Sequence, residues 1–299
     1  MADIWGPVDG VYTASTSWLP SFGWSVDYWS LFTTITGALA GAGLGAWAAQ
    51  KIAKNEKERD ESTKELRSVN SGIVLSYNIS NTAMSLKKQH VRGLKDNHDK
   101  DIANFEALQS QPPPRLIKIN PQFVHLGAIT TPIAPLQGIV LEQMASNGSA
   151  INSAITLADA IDHLNRTISL YNDLLDSYRQ ADLPAGFKIE HLYLGIPVGG
   201  KVNNIYRDTL ASLSAYTDDV IFFALKLCDD LIEHGQSMLP KHRKLTGNPS
   251  ADITDIDISD CILEGLIPQH EPYMNWLAGF SKKATPTAKR PWLFRWLRK

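Results

Sequence analysis

The chain has 299 residues, 43% of them hydrophobic, which excludes a disordered polypeptide and leaves room for one large or two modest domains. Its net charge of −2 conceals an uneven distribution. Lys282, Lys283, Lys289, Arg290, Arg295, Arg298 and Lys299 put seven cations and no acid into the last eighteen residues, while 22 basic residues face 31 acidic ones elsewhere. Cys228 and Cys261 are too few and too far apart for a disulfide framework or a cysteine metal cluster, and reduced thiols on the cytoplasmic side are expected.

Residues 1–28 form an aromatic tail with Asp3, Asp9 and Asp27 as its only charged side chains. No lysine or arginine precedes Lys51, so the basic start of an export signal is missing. Residues 29–50 follow without a single charged side chain, a run long enough to cross a hydrocarbon core of about 30 Å as a helix. Tyr28, Trp29 and Trp47 stand where aromatic rings would meet the two headgroup levels. Ala and Gly dominate the second half of this run and gain little in lipid, so packing against another helix has to help. Gly37, Gly41 and Gly45 recur every four residues on one helical face and would let a second helix approach closely, which points to self-association of the span. Lys51, Lys54, Lys57 and Arg59 lie just beyond it, so the expected orientation is tail outside and body cytoplasmic, in an inner or plasma membrane.

Residues 51–110 are expected to continue the span as a stalk and first bundle helix. No Pro or Gly interrupts 47–71, and Leu66, Val69, Ile73, Tyr77, Met84, Val91 and Leu94 keep helical spacing. The prolines of "QPPPR" end the helical pattern near Ser110. Within 111–238, a short helix before Asn147–Gly148 precedes two long stripes. The first is Ile151, Ile155, Ala158, Ile161, Leu164, Ile168, Tyr171, Leu175 and Tyr178. The second is Ile205, Leu210, Leu213, Tyr216, Val220, Phe223, Leu227 and Leu231, with Gly235 as its expected stop. These helices predict an all-α antiparallel bundle together with the distal stalk. Residues 239–299 read as an irregular segment followed by a basic amphipathic tail. Trp292, Leu293, Trp296 and Leu297 share one helical face there, while Arg295, Arg298 and Lys299 point away, a layout suited to a membrane surface.

No catalytic, cofactor-binding or metal-ligating set emerges. "GIPVGGKV" has the glycine and lysine spacing of a nucleotide loop, but Val202 stands where the magnesium-binding Ser or Thr belongs, and a glycine-rich turn between helices is the simpler reading. His90 and His98 with Asp96, Asp99 and Asp101 lack the Glu-x-x-His pattern of bundle metal sites. "DITDIDISD" lacks the glycine and closing glutamate of a calcium loop. Basic residues form no track across the bundle, which argues against nucleic acid.

The sequence therefore predicts a single N-terminal transmembrane helix running into a stalk and helical bundle, acting as a non-enzymatic interaction, sensor or scaffold protein. Its expected partners are the lipid membrane, copies of itself and a cytoplasmic protein. The alternative is a membrane-disrupting, pore-forming effector whose bundle holds it inactive; an enzyme working at the membrane surface rests on no motif.

Overall fold

The computed structural model describes residues 28–110, 112, 119, 121–144 and 148–280, with side chains from 45 to 279. Two compact units, 1–55 and 56–299, divide the chain. The described residues are helical, without a strand.

Helix α1, Tyr28–Leu86, continues through a π-helical turn, Lys87–Val91, into α2, Arg92–Gln109. The inward-facing row explains the turn. It runs through Ile73, Ser76, Ile79 and Ala83 to Leu86, then steps five residues to Val91 before resuming at Leu94 and His98. A wide turn absorbs that extra residue without breaking the helix. Ser110 ends it, two residues before the first proline of the run, Pro112.

Helix α3, Ile133–Gly138, with a second π-helical turn at Ile139–Gln143, leads to α4, Gly148–Arg179. A short α5, Ile189–Leu194, is closed by Gly195 at φ +68, where an added Cβ would also lie 2.6 Å from Asn204 Oδ1. The long α6, Ile205–Thr246, comes next. Helix α7, Ser259–Leu263, a 3₁₀ turn at Glu271–Tyr273 and α8, Met274–Phe280, complete the described chain.

Helix α6 is the axis of the bundle. It runs antiparallel to α1 and α2: Ser62 meets His242 at 3.0 Å, Ser76 Oγ donates to the Ala224 carbonyl at 2.7 Å, and Lys87 pairs with Asp218 at 2.6 Å. It is likewise antiparallel to α4, with Ser153 at Asp230, His163 stacked on Tyr216 at 5.3 Å, and Tyr171 beside Tyr206 at 6.1 Å. Leu157, Leu164, Leu175, Leu210, Leu213, Leu227 and Leu231 are fully buried in this seam. Burying each such side chain contributes roughly 1.5–3 kcal/mol, the main favourable term for the fold.

Extended chain fills what a fourth long helix would otherwise cover. Residues 121–130 lie antiparallel to α4, held by two asparagines two turns apart. Asn172 accepts from the Leu126 N–H at 3.0 Å and donates to its carbonyl at 2.8 Å; Asn165 does the same for Ile129 at 2.9 and 3.1 Å. Asn70 of α1 clamps the segment after α6 in the same manner, donating to the Asp252 carbonyl at 3.2 Å and accepting from the Thr254 N–H at 2.9 Å. Each amide replaces a neighbouring strand and satisfies backbone groups that a packed segment cannot leave unpaired.

Three expectations need correction. Gly235 does not stop α6, which continues through Pro240 to Gly247; a Cβ at Gly235 would lie 2.6 Å from Ile253 and 2.9 Å from Val69, so this glycine permits close packing instead. The first half of the α4 stripe is rotated: Ile155 is 45% exposed while Ser153 and Ala154 face inward, because Ser149 and Ser153 bond Asp230. Ile205 is 53% exposed, since it is the first residue of α6, after the N-cap Asn204, and lies outside the seam.

Candidate functional site

The residues singled out for membrane contact and self-association fall mostly outside the described side chains. Tyr28, Trp29, Gly37 and Gly41 lie within α1, but their side chains are outside the described residues, as are Trp292, Trp296, Arg295, Arg298 and Lys299 entirely. Gly45 is exposed, and an added Cβ there would meet nothing within 4 Å. Trp47 is 61% exposed, with the Lys51 ammonium 5.0 Å from its ring centroid. Every residue of α1 from Gly45 to Lys57 is exposed, including Ile52. Among the described residues no helix is long and apolar enough to cross a membrane.

Inside the bundle, the α4–α6 seam holds a charged group that hydrophobic periodicity hides. Lys226 and Asp230, one turn apart on α6, form a buried ion pair. Ser149 donates to Asp230 at 2.9 Å, Ser153 at 3.2 Å, and Lys226 reaches Ser149 at 3.3 Å. Asp229 beside them is buried, and neither of its carboxylate oxygens has a hydrogen-bond partner among the described residues. Burial pushes its carboxyl well above the ordinary range; the Lys226 charge opposes that shift, and Asp230 and Glu233 add to it. The adjacent Cys228 thiol is pushed up to about 12 by burial and donates to the Ile73 carbonyl at 3.5 Å, which makes it a poor nucleophile.

At the opposite end of α4, Tyr171, Tyr178, Tyr193 and Tyr206 pack with His98 and Phe123. His98 sits 2.9 Å from the Tyr193 carbonyl, and the Tyr193 hydroxyl donates to Asp101 at 2.9 Å. Burial raises all four phenols, Tyr178 to about 12, and lowers His98. These groups stay neutral near pH 7, so the cluster acts as an aromatic plug joining α2, α4, α5 and α6.

The other candidates resolve locally. Val198 and Lys201 exchange backbone bonds of 2.9 and 3.0 Å across Gly199 and Gly200, both at positive φ, giving a two-residue reverse turn. Asp252, Asp255 and Asp257 accept from nearby backbone N–H groups while Ile253, Ile256 and Ile258 pack inward. Among the described residues no cluster of His, Cys, Asp and Glu is arranged to hold a metal ion. His234 of α6 pairs with Glu65 of α1 at 2.9 Å.

Comparison with known proteins returns no matching family model, no matching curated protein and no matching solved structure.

Proposed function

We propose that the chain is a membrane-anchored interaction, sensor or scaffold protein, non-enzymatic, with its helical bundle on the cytoplasmic side and its oligomeric state set by the glycine face of residues 29–50. The supporting observation is the character of α1. One uninterrupted helix contains both the uncharged run after Tyr28 and the first helix of the bundle, and its side chains from Gly45 to Lys57 are left uncovered, Trp47 and Ile52 among them. Such a helix needs an environment other than the bundle's own core. The glycine spacing on an alanine-rich run then favours close association of copies.

Light scattering of the detergent-solubilised full chain tests the oligomer. A defined oligomer that dissociates in Gly41→Leu is the expected result; a monomer in both forms overturns it.

A second reading, a pore-forming effector restrained by its bundle, draws on the same marginal hydrophobicity, since a weakly apolar, small-residue helix gains more from helix partners than from lipid. It predicts dye leakage from vesicles carrying the chain. Intact vesicles remove it.

A further inference from the structure

On the face of α1 that looks toward the end of the second π-helical turn lies a groove of about 520 Å³ lined by Lys64, Arg67, Ser68, Ser71, Ile139 and Gln143. Its four α1 residues stand at i, i+3, i+4 and i+7, one continuous helical face. No acidic side chain lines it. Of the acids close by in sequence, Glu61 pairs with Lys57 and Glu65 with His234, while Asp60 and Glu142 stand outside the lining. Among the described residues the Lys64 and Arg67 charges have no ion-pair or hydrogen-bond partner, in contrast to Lys87, Lys88, Arg92 and Lys226, which are all committed to carboxylates or carbonyls.

The polar atoms of the groove are mainly donors. Ser68 Oγ donates to Gln143 Oε1 at 3.1 Å, which occupies the amide oxygen and leaves the Gln143 NH₂ free to donate. Added to it are the Lys64 ammonium, the planar guanidinium of Arg67 and the Ser71 hydroxyl. Ile139 supplies an apolar wall. Two cations with neutral donors, beside an apolar wall and with no carboxylate in the lining, suit an anion having several acceptor oxygens and a small organic body. The volume is within the range that holds a small organic ligand and well beyond a bare ion.

We propose that this groove binds a phosphate monoester, with Arg67 and Lys64 taking the phosphate oxygens, Gln143 and Ser71 adding neutral donors, and Ile139 bordering the organic part. The site stands within the bundle unit and does not depend on residues 29–50 crossing a bilayer. A soluble phosphorylated metabolite and a phosphorylated lipid headgroup share this chemistry.

The test uses the full-length chain with three probes: inorganic phosphate, inositol trisphosphate measured by calorimetry, and neutral phosphatidylcholine vesicles with or without phosphatidylinositol bisphosphate measured by flotation. Two variants accompany it, Lys64→Gln with Arg67→Gln, and Ser71→Trp, which keeps both charges but fills the groove; circular dichroism checks that each retains its fold. The expected result is binding of inositol trisphosphate or of the phosphoinositide vesicles, tighter than inorganic phosphate and weakened at least tenfold by both variants. Binding of the soluble probe alone identifies a metabolite as the ligand, and binding of the vesicles alone identifies a lipid. Because the basic residues after Lys282 also attract anionic vesicles, loss in the variants decides the matter. Absence of binding to every probe, binding indifferent to the variants, or loss in the charge variant alone overturns the proposal.

Discussion

Asn165, Asn172 and Asn70 each spend both ends of one amide on one stretch of extended backbone, which makes them testable at the level of single atoms. Asn172→Ala leaves the Leu126 N–H and carbonyl without their partner and should cost about 1–3 kcal/mol in urea unfolding. Asn172→Asp keeps the acceptor but sets a carboxylate against the Leu126 carbonyl, so it should be no better than alanine at pH 7 and recover as the acid is protonated. Equal stability of the three proteins at pH 7 would contradict the clamp. The buried ion pair makes the opposite kind of demand. Lys226→Met strands the Asp230 carboxylate without its counter-charge and should cost about 3 kcal/mol or more. Asp229 itself gives a pH signature. Its carboxyl is raised by burial, so the folded chain binds a proton that the unfolded chain has already released. Stability from this group is complete below the unfolded value of about 3.9 and falls as pH rises through the higher folded value, by about 1.4 kcal/mol for each tenfold weakening of the acid. Asp229→Asn removes that slope, and thermal melts should show its advantage over the parent growing from pH 4 toward neutrality. A constant difference across that range would refute the assignment.

At the scale of elements, the apolar stripes were readable because core burial repeats every three or four residues. Leu164, Ile168, Tyr171 and Leu175 of α4 and Leu210, Leu213, Val220, Leu227 and Leu231 of α6 all point inward as the spacing requires. The proline run likewise marks the end of α2. What escaped the pattern depends on residues distant in sequence. Gly235 resembles a helix stop until Ile253 and Val69 are seen against it. Ser149 and Ser153 resemble a polar face until Asp230 arrives from α6. The wide turn at Lys87–Val91 brings Lys87 and Arg92 to Asp218 and the carbonyls of 264–266, partners that lie far away in sequence. The groove at Lys64 and Arg67 was illegible for the same reason: Lys64 stands near the end of the charged run "KNEKERDESTKE", Arg67 lies just beyond it, and only Gln143 and Ile139, distant in sequence, give them an opposite wall. Gly235 offers a sharp element-level contrast with Gly45. Gly235→Leu crowds the α1–α6 contact and should destabilise the bundle by about 1–3 kcal/mol, whereas Gly45→Leu, with open space around it, should leave urea unfolding of the bundle unchanged while weakening any association through the glycine face. Equal effects of the two on unfolding would show that the packing at Gly235 has been misassigned.

For the molecule as a whole, the all-helical bundle is established by its packing, and the proposed membrane reading rests on the uncharged run, the aromatic flanks and the exposure of α1 between Gly45 and Lys57. The proposed cytoplasmic placement of the bundle rests on the asymmetry of lysines around residues 29–50. The most direct measurement is alkaline carbonate extraction of membranes containing the full chain, compared with a Leu39→Arg/Leu44→Arg form and followed by protease treatment from each side. The account predicts that the parent chain stays with the lipid, that its bundle is cleaved only from the cytoplasmic side, and that two arginines in the run release it. Extraction of the parent chain by carbonate would contradict the span, and with it both the scaffold and the pore readings.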